Sequence, residues 1–255
     1  MILEEYFELK GKTVLVTGAA RGLGKEIALR LAQCEASVII ADIEYPQTTE
    51  KAILDTGAHC LANKTDIAEE DQVRHLTDRV AAQYGKPDIL INNAGISQLG
   101  YTPTEDLSVE EWDNVLRVNL RGTFLCCKNL GKLMIDNGGG VIVNIASTAG
   151  ITGVPRAPAY CASKAGVILL TKSLALEWAR YNVRVNAIAP HYLKTDLTGD
   201  LRNSDEIYSK LIKQIPMKKF GETSDMVGAV IYLSSKASAY TTGAIITVDG
   251  GYLAQ

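Results

Sequence analysis

Short apolar runs rich in β-branched residues alternate along this chain with longer stretches of helical periodicity. The helical stretches cover residues 22–34, 68–84, 109–135, 159–181 and 224–234. The apolar runs, with a weaker candidate at 59–62, occupy residues 13–17, 37–41, 88–91, 141–145, 184–189 and 244–248. Because these runs lack the polar alternation of a strand wetted on one face, both faces of the sheet must be covered. The pattern predicts an α/β fold, a doubly wound parallel sheet of about seven strands with helices on both faces.

Length and charge narrow the class of protein. The 255 residues carry 26 Lys and Arg against 29 Asp and Glu, which gives a net charge of −3. Without a long basic run, no nucleic-acid partner is expected. No repeat or Pro/Ser-rich linker divides the chain, so a single domain spanning residues 1–255 is predicted. The polar, weakly periodic segment 195–220 indicates a substrate lid between the last two strands.

The sequence carries no recognisable targeting, membrane or metal signal. Its N-terminal stretch is acidic and lacks the cationic flank of a secretory signal, and no uninterrupted apolar run reaches the ~18 residues that span a bilayer. The five cysteines form no Cys-x-x-Cys pair and show no metal-ligand spacing. These features predict a cytoplasmic protein with reduced thiols, no bound metal and no membrane association.

Glycines punctuate the turn between the first strand and the first helix. Residues 17–24 read Thr-Gly-Ala-Ala-Arg-Gly-Leu-Gly. Gly18, Gly22 and Gly24 allow a tight turn and bring backbone N–H groups close to a pyrophosphate. The N-terminus of the following helix adds unpaired donors and a partial positive charge. This strand–turn–helix setting indicates a dinucleotide-binding loop.

The choice between NAD and NADP depends on two residues. Asp42 ends the second strand, at the distance from the loop where a carboxylate accepts hydrogen bonds from an adenosine ribose. A carboxylate there repels the 2′-phosphate of NADP and favours NAD. Arg21 favours the opposite choice, because a guanidinium in the loop can pair with that phosphate. We predict NAD as the preferred cofactor, with NADP as the alternative.

A serine, a tyrosine and a lysine form a candidate catalytic set. Tyr160 and Lys164 are four residues apart in a helical pattern, so their side chains share one face. A nearby ammonium stabilises a phenolate and lowers the pKa of the phenol from its usual value near ~10. Such a tyrosine can exchange a proton with an alcohol or carbonyl. Ser147 follows the strand 141–145, and its hydroxyl can hold the same substrate oxygen.

These motifs, taken together, resemble the short-chain dehydrogenase/reductase family. The resemblance covers roughly residues 9–251 and includes the glycine loop, Asn-Asn-Ala-Gly at 92–95, Asn119, Ser147 and Tyr-Cys-Ala-Ser-Lys at 160–164. It continues through Asn-Ala-Ile-Ala-Pro at 186–190 and Val-Asp-Gly-Gly at 248–251. The resemblance implies a single Rossmann-type domain that transfers a hydride between an alcohol or ketone and a nicotinamide cofactor.

The resemblance also implies roles for individual residues. Tyr160 matches the general acid/base, Lys164 the residue that assists it and binds the nicotinamide ribose, and Ser147 the residue that orients the substrate oxygen. Asn119 matches the helix asparagine that supports a proton relay. The positions that match cofactor-contacting residues are Gly18, Arg21, Gly22, Leu23, Gly24, Asp42, Asp66, Ile67, Asn93, Ala94, Gly95, Tyr160, Lys164, Pro190, Leu193 and Thr195.

One position departs from the family pattern. Family members commonly carry glycine after the proline that matches Pro190, whereas this chain has His191. A histidine cannot adopt every glycine conformation without strain. Either the backbone there is permissive and the imidazole lies on the pocket rim, or His191 reaches into the pocket and hydrogen-bonds a polar substrate.

The residues expected around the substrate are mostly polar or small. They belong to segment 97–101 and to the loops after Ser147 and Pro190, with the candidates Thr148, Ala149, Val154, His191 and Tyr192. A polyol, sugar or sugar acid fits such a pocket better than a steroid, and residues 190–195 are similar to sugar-acid dehydrogenases of the gluconate 5-dehydrogenase type. An NADPH-dependent 3-oxoacyl-carrier-protein reductase remains the alternative, and a non-catalytic dinucleotide-binding scaffold a remote one. From the family resemblance and the apolar faces of helices 109–135 and 159–181, a homotetramer is expected.

Overall fold

Seven parallel strands form one sheet in the computed structural model, which describes residues 3–98 and 102–255. The strands are β1 Thr13–Thr17, β2 Ser37–Asp42, β3 Cys60–Lys64, β4 Ile89–Asn92, β5 Gly140–Ile145, β6 Val183–Pro190 and β7 Ile245–Val248. Their spatial order is β3-β2-β1-β4-β5-β6-β7. The order of winding reverses between β1 and β4, and ligands bind at such a switch point, outside the carboxyl ends of the strands. The predicted doubly wound α/β fold is confirmed.

Helices connect the strands and cover both faces of the sheet. Their bounds are α1 Leu3–Phe7, α2 Gly22–Gln33, α3 Gln47–Leu54, α4 Glu70–Tyr84, α5 Val109–Leu116, α6 Thr123–Asp136, α7 Pro158–Trp178, α8 Gly199–Asn203, α9 Asp205–Lys213 and α10 Val227–Ser234. The single helix predicted over 109–135 is divided into α5 and α6 by a π-helical turn, Arg117–Gly122. Helix α3 was not predicted, because its eight residues are mostly polar.

Alternate residues of each central strand enter different cores. In β1, Val14 and Val16 pack against α2 and α10, whereas Leu15 packs on the opposite face against α4 and α6. In β2, Ile40 packs in the same core as Val14 and Val16, and Ile39 packs in the same core as Leu15. This double burial is the physical reason for the uninterrupted apolar strands in the sequence.

Helix α7 crosses one face of the sheet beneath the candidate site. With its terminal turn it spans Pro158–Tyr181, and by length and composition it is the one helix among the described residues that is apolar enough to cross a bilayer. Core helices pass the same test, and Leu174 and Trp178 of α7 pack against the sheet. Its outward face carries Leu169 and Leu176, which are 66% and 85% exposed.

The predicted lid is an excursion between β6 and the helix before β7. Two backbone hydrogen bonds close its base, from Lys194 N to Gly221 O at 2.8 Å and from Gly221 N to Tyr192 O at 3.0 Å. Between these bonds lie the short helices α8 and α9, where the sequence showed only weak periodicity. A role for this segment in covering substrate stays a prediction.

Candidate active site

The glycine loop is tied to the end of β4 by a tight backbone approach. Gly18 has φ +65°, and a Cβ atom there would lie 2.6 Å from Ala94 Cα. The Asn93 side chain donates to Thr17 O at 3.0 Å and to Gly18 O at 2.9 Å. Only glycine fits at position 18, because both its positive φ and the contact exclude a side chain. The loop therefore keeps its shape with its amide groups at the N-terminus of α2, where an anion is favoured.

Asp42 lies beside this loop at the carboxyl end of β2. Its Oδ2 accepts a hydrogen bond from Ala20 N at 2.8 Å, and its Oδ1 accepts one from Glu44 N at 3.3 Å. The carboxylate is thus held against the loop, where the ribose of a bound dinucleotide would lie. The Nε of Arg21 is 3.8 Å from Asp196 Oδ2, and both side chains are largely exposed. The guanidinium is therefore directed toward the start of the lid.

Asp66 and Ile67 follow β3 on the adenosine side of the crevice. Asp66 Oδ1 accepts from Ala68 N at 2.9 Å, and its Oδ2 lies 3.6 Å from Arg117 Nη1. Ile67 is buried against Gly122, where an added Cβ would lie 2.7 Å from Ile67 Cδ1. Both predicted residues therefore lie at the carboxyl edge of the sheet, with Asp66 partly exposed.

Helix α7 brings Tyr160 and Lys164 together. The Nζ of Lys164 lies 5.8 Å from the centroid of the Tyr160 ring and donates to Ile145 O at 2.8 Å. Lys164 is only 5% exposed, and burial lowers its pKa from 10.5 to about 8. The ammonium is thus held by the end of β5, two residues before Ser147, and faces the aromatic ring of Tyr160.

Asn119 occupies the π-helical turn between α5 and α6. Its Oδ1 accepts from Ile96 N at 2.8 Å, and its Nδ2 donates to Ile96 O at 2.9 Å and to Ser163 Oγ at 3.1 Å. A Cβ at Gly95 would lie 3.1 Å from Asn119 Oδ1 and 3.5 Å from Lys164 Nζ. The structure thus brings Gly95, Asn119 and Lys164 to one point. Single π-turns of this kind are frequent at functional sites, because the wider turn redirects a side chain.

Ser147 lies just beyond the end of β5, and only 8% of its surface is exposed. Its Oγ accepts from Ala149 N at 3.1 Å, which starts the short turn Thr148–Gly150. That turn rests on α7, since a Cβ at Gly150 would lie 2.6 Å from the carbonyl carbon of Lys164. Ser147, Tyr160, Lys164 and Asn119 therefore come from elements that meet at the carboxyl edge of the sheet. Proton exchange with a substrate oxygen is the chemistry that this set supports.

The backbone at His191 is permissive, as the first of the two interpretations of the sequence has it, and the imidazole bonds within the protein. Its φ lies outside the positive range, so the position accepts a side chain without strain. The ring is partly buried. Nδ1 is 2.8 Å from Thr148 Oγ1, and Tyr252 stacks on the ring at 3.8 Å. Nε2 is buried and finds no hydrogen-bond partner in the described part of the chain. Burial lowers the pKa of His191 to about 4, against a smaller opposing effect of Asp249. The imidazole is therefore uncharged near neutral pH.

The other residues predicted around the substrate make contacts within the protein. Tyr192 stacks on Phe220 with ring centroids 4.9 Å apart, and Val154 N donates to Cys161 Sγ at 3.3 Å. Ala149 is buried beside Ser147. Of the predicted segment 97–101, residues 99–101 lie outside the described part of the chain.

Of the residues predicted at and after the end of β6, Thr195 reaches the glycine loop. Pro190 ends the strand, and Leu193 is buried at the base of the lid. Thr195 lies at the loop itself, its Cβ 3.8 Å from the place of a Cβ on Gly22.

Three residues near the site were not singled out from the sequence, although Gln98 falls within the predicted segment 97–101. Gln98 is buried and bonds to the start of α7 and to the residues before it. Its Nε2 donates to Arg156 O at 3.1 Å, and its Oε1 accepts from Ala159 N at 3.2 Å. Arg202, on the lid, donates to Thr195 O at 3.0 Å. Tyr252 contacts the site from the C-terminal segment. The contacts of Gln98 and Tyr252 join distant parts of the chain, and no local spacing reveals them, whereas Arg202 bonds within the lid.

Known proteins with related sequences are sugar-acid, polyol and acyl-carrier-protein enzymes. A family model described as enoyl-(acyl carrier protein) reductase matches residues 18–253. A 2-dehydro-3-deoxy-D-gluconate 5-dehydrogenase of Escherichia coli is 38% identical, with 98% of each chain covered. A D-threitol dehydrogenase of Mycolicibacterium smegmatis is 41% identical over 96% of this chain and 94% of that one. A 3-oxoacyl-[acyl-carrier-protein] reductase of Staphylococcus epidermidis is 37% identical over 94% and 98%.

Solved structures share the whole fold. A gluconate 5-dehydrogenase of Burkholderia cenocepacia, in complex with NADP and tartrate, superposes with a TM-score of 0.93 at 33% identity, covering 98% of both chains. The similarity therefore extends over the sheet, the lid and the C-terminal segment. Sequence, fold and site agree that the chain belongs to the short-chain dehydrogenase/reductase family of NAD(P)-dependent oxidoreductases, which act on CH–OH groups.

Proposed function

We propose that this protein interconverts a secondary alcohol and a ketone on a polyol, sugar or sugar acid, with Tyr160 as general acid/base and NAD(H) as the preferred cofactor. The observation that carries the proposal is the buried Lys164 ammonium facing the Tyr160 ring. A positive charge beside the ring favours the phenolate over the phenol. A dry setting strengthens that effect, because little water screens the charge.

In the proposed oxidation, side chains of this protein bind the substrate oxygen and take its proton. Ser147 donates a hydrogen bond to the substrate oxygen, and the Tyr160 phenolate takes the alcohol proton as the C–O double bond forms. A bound nicotinamide supplies the hydride acceptor. Lys164 holds the tyrosine in its reactive state, and Asn119 fixes the Ile96 backbone beside it. In reduction the same groups act in reverse.

The residues of the crevice fit a dinucleotide. The Gly18 backbone leaves no room for a Cβ, and the loop amides and the N-terminus of α2 suit a diphosphate. The NAD preference rests on Asp42, whose carboxylate is fixed beside the loop. Arg21, the residue that could favour NADP, is directed toward Asp196. The NADP bound in the gluconate 5-dehydrogenase of B. cenocepacia instead favours NADP as the cofactor.

The cofactor proposal is tested by titrating the protein with NADH and with NADPH. Binding is monitored through the quenching of protein fluorescence. We expect NADH to bind at least ~10-fold more tightly, since a charge clash with a 2′-phosphate costs more than ~1.4 kcal/mol. Asp42→Asn is the matched variant, and it should improve NADPH binding selectively. Tighter binding of NADPH by the unaltered protein would reverse the assignment.

A substrate panel with both cofactors tests the reaction. D-Threitol, gluconate and 2-dehydro-3-deoxy-D-gluconate are chosen because related enzymes act on such compounds, and a 3-oxoacyl thioester represents the second candidate function. We expect turnover with the polyhydroxylated compounds, measured by absorbance of the reduced nicotinamide. Tyr160→Phe should abolish turnover and leave NADH binding unchanged. Turnover of the thioester alone would favour the acyl-carrier-protein reductase.

We further propose that the protein is a homotetramer. Apolar side chains on α6 and α7 remain exposed in the isolated chain, among them Phe124 at 44% and Leu176 at 85%. A shallow cavity of about 610 Å³ lies beside them, lined by Leu116, Leu120 and Phe124 together with charged neighbours. Burial of such a face against a second copy would remove it from water. A monomeric mass by analytical ultracentrifugation at micromolar concentration would contradict this.

A further inference from the structure

A side-chain hydrogen bond extends the pairing of β5 and β6 beyond the last residues that are paired through their backbones. The parallel register ends at Ile145 opposite Ile188, and Ala146 N donates the last backbone hydrogen bond, to Ile188 O at 2.8 Å. Thr148 lies three residues after Ile145, and His191 lies three residues after Ile188, so the two residues continue the same register. Their side chains meet at 2.8 Å. This contact ties the turn that follows Ser147 to the loop that begins the lid.

The C-terminal segment holds the imidazole of this contact in place. Tyr252 stacks on His191 with an interplanar angle of 12°. Asp249 fixes the segment, since its carboxylate accepts from Gly251 N and Leu253 N, both at 2.9 Å. His191 N also donates to Val248 O at 3.3 Å. The ring is therefore oriented by two strand ends and by the tail of the chain.

The arrangement is unfavourable for the stability of the fold. Nε2 of His191 is buried and has no hydrogen-bond partner among residues 3–98 and 102–255, which is costly for a ring nitrogen. Thr148 is 2% exposed, so its hydroxyl depends on His191. An apolar pair of similar size would avoid both demands. A polar pair that stabilises the fold so poorly indicates a role in the position of the neighbouring serine.

We propose that His191 is a positioning residue for the hydride-transfer site: it holds Thr148, and through it Ser147, in register with β6, and Tyr252 holds its ring. This inference rests on the proposed role of Ser147 in binding the substrate oxygen. Since Ser147 acts on the oxygen as charge develops, a shift of the turn lowers kcat and leaves KM little changed.

The decisive variant is the double replacement Thr148→Val and His191→Phe, which removes the hydrogen bond, the dependent hydroxyl and the unpaired nitrogen together. We expect kcat to fall about 10- to 100-fold, the loss typical of a misplaced catalytic contact, with NADH binding unchanged. The kcat of each single variant should fall as far as that of the double variant, because all three lose the same contact between residues 148 and 191. Tyr252→Ala should lower kcat in the same way, and Tyr252→Phe should restore it.

Thermal and urea unfolding separate positioning from simple structural support. The double variant should be at least as stable as the unaltered protein, although it is less active. A less stable double variant, or one with unchanged kcat, would overturn the inference. Tyr160→Phe separates the two proposals: if it retains turnover, the proposed function fails, and if it is inactive while the double variant turns over normally, only the positioning role fails.

Discussion

Replacement of Lys164 by methionine is expected to stabilise the protein while it abolishes activity. Lys164 is buried, and burial alone lowers its pKa from 10.5 to about 8. A protonated lysine in such a place is less favourable than in the unfolded chain. Methionine has nearly the same length and removes the charge. It also removes the hydrogen bond to Ile145 O and the ammonium beside Tyr160.

The magnitude follows from the two pKa values. Near pH 7 the shift corresponds to about 3 kcal/mol of lost stability, at ~1.36 kcal/mol per pKa unit. Loss of the hydrogen bond to Ile145 O offsets about 1 to 2 kcal/mol of this. Lys164→Met should therefore unfold with a free energy about 1 to 2 kcal/mol higher than that of the unaltered protein.

The sign of the pH dependence provides the check. Between the folded pKa of about 8 and the unfolded value of 10.5, the unfolded chain binds more protons, so stability of the unaltered protein rises with pH. The Lys164→Met variant lacks this rise. The free energies of unfolding of both cofactor-free proteins can be compared in urea at equal protein concentration. Between about pH 7 and about pH 10, the unaltered protein should gain about 2.5 kcal/mol relative to the variant. A difference that is constant with pH, with the variant less stable, would refute the reasoning.

Three further outcomes are expected. Gly18→Ala should destabilise the fold by about 2 to 4 kcal/mol and weaken NADH binding at least ~10-fold, since its Cβ would lie 2.6 Å from a backbone carbon at φ +65°; urea unfolding and fluorescence titration measure both. Asn144→Leu should cost about 2 to 4 kcal/mol in urea unfolding, because Asn144 bonds to Asn92 and Thr171 in a buried site. As pH falls from about 6.5 toward about 4.5, the unaltered protein should lose about 1 to 2 kcal/mol more stability in urea unfolding than a His191→Phe variant. His191 stays neutral when folded and gains a proton when unfolded, and solvent at the partly exposed ring reduces this effect.

The sheet and the crevice could be predicted from sequence because their signals are local. Most strands are short runs dominated by apolar residues, β3 being the exception, and the glycine loop combines a positive φ with a backbone contact that only glycine tolerates. Tyr160 and Lys164 are one helical turn apart, so their spacing alone places them on one face. The predicted strand 13–17 agrees with the structure at both ends, and the other strands differ by one or two residues.

The π-turn and the environment of His191 could not be predicted, because both depend on tertiary contacts. Asn119 bonds to the Ile96 backbone and to Ser163, and the π-turn that presents it breaks a helix whose sequence pattern shows no interruption. The position of the His191 ring depends on Thr148, 43 residues earlier, and on Tyr252 in the C-terminal segment. No spacing in the sequence brings these residues together; the order of strands in the sheet does.

Groups that weaken the fold lie together at one edge of the sheet. Lys164 is charged near neutral pH although it is buried, and His191 holds a ring nitrogen that no described residue pairs. Apolar replacements would improve the stability of both places, whereas the apolar side chains of the central strands already pack in the two cores on either face of the sheet. A site that must hold a proton donor, a cation and a substrate oxygen cannot at the same time be optimal for packing. If the proposed function is correct, replacements at these two positions should therefore gain stability and lose activity together, and replacements in the strand cores should lose stability first.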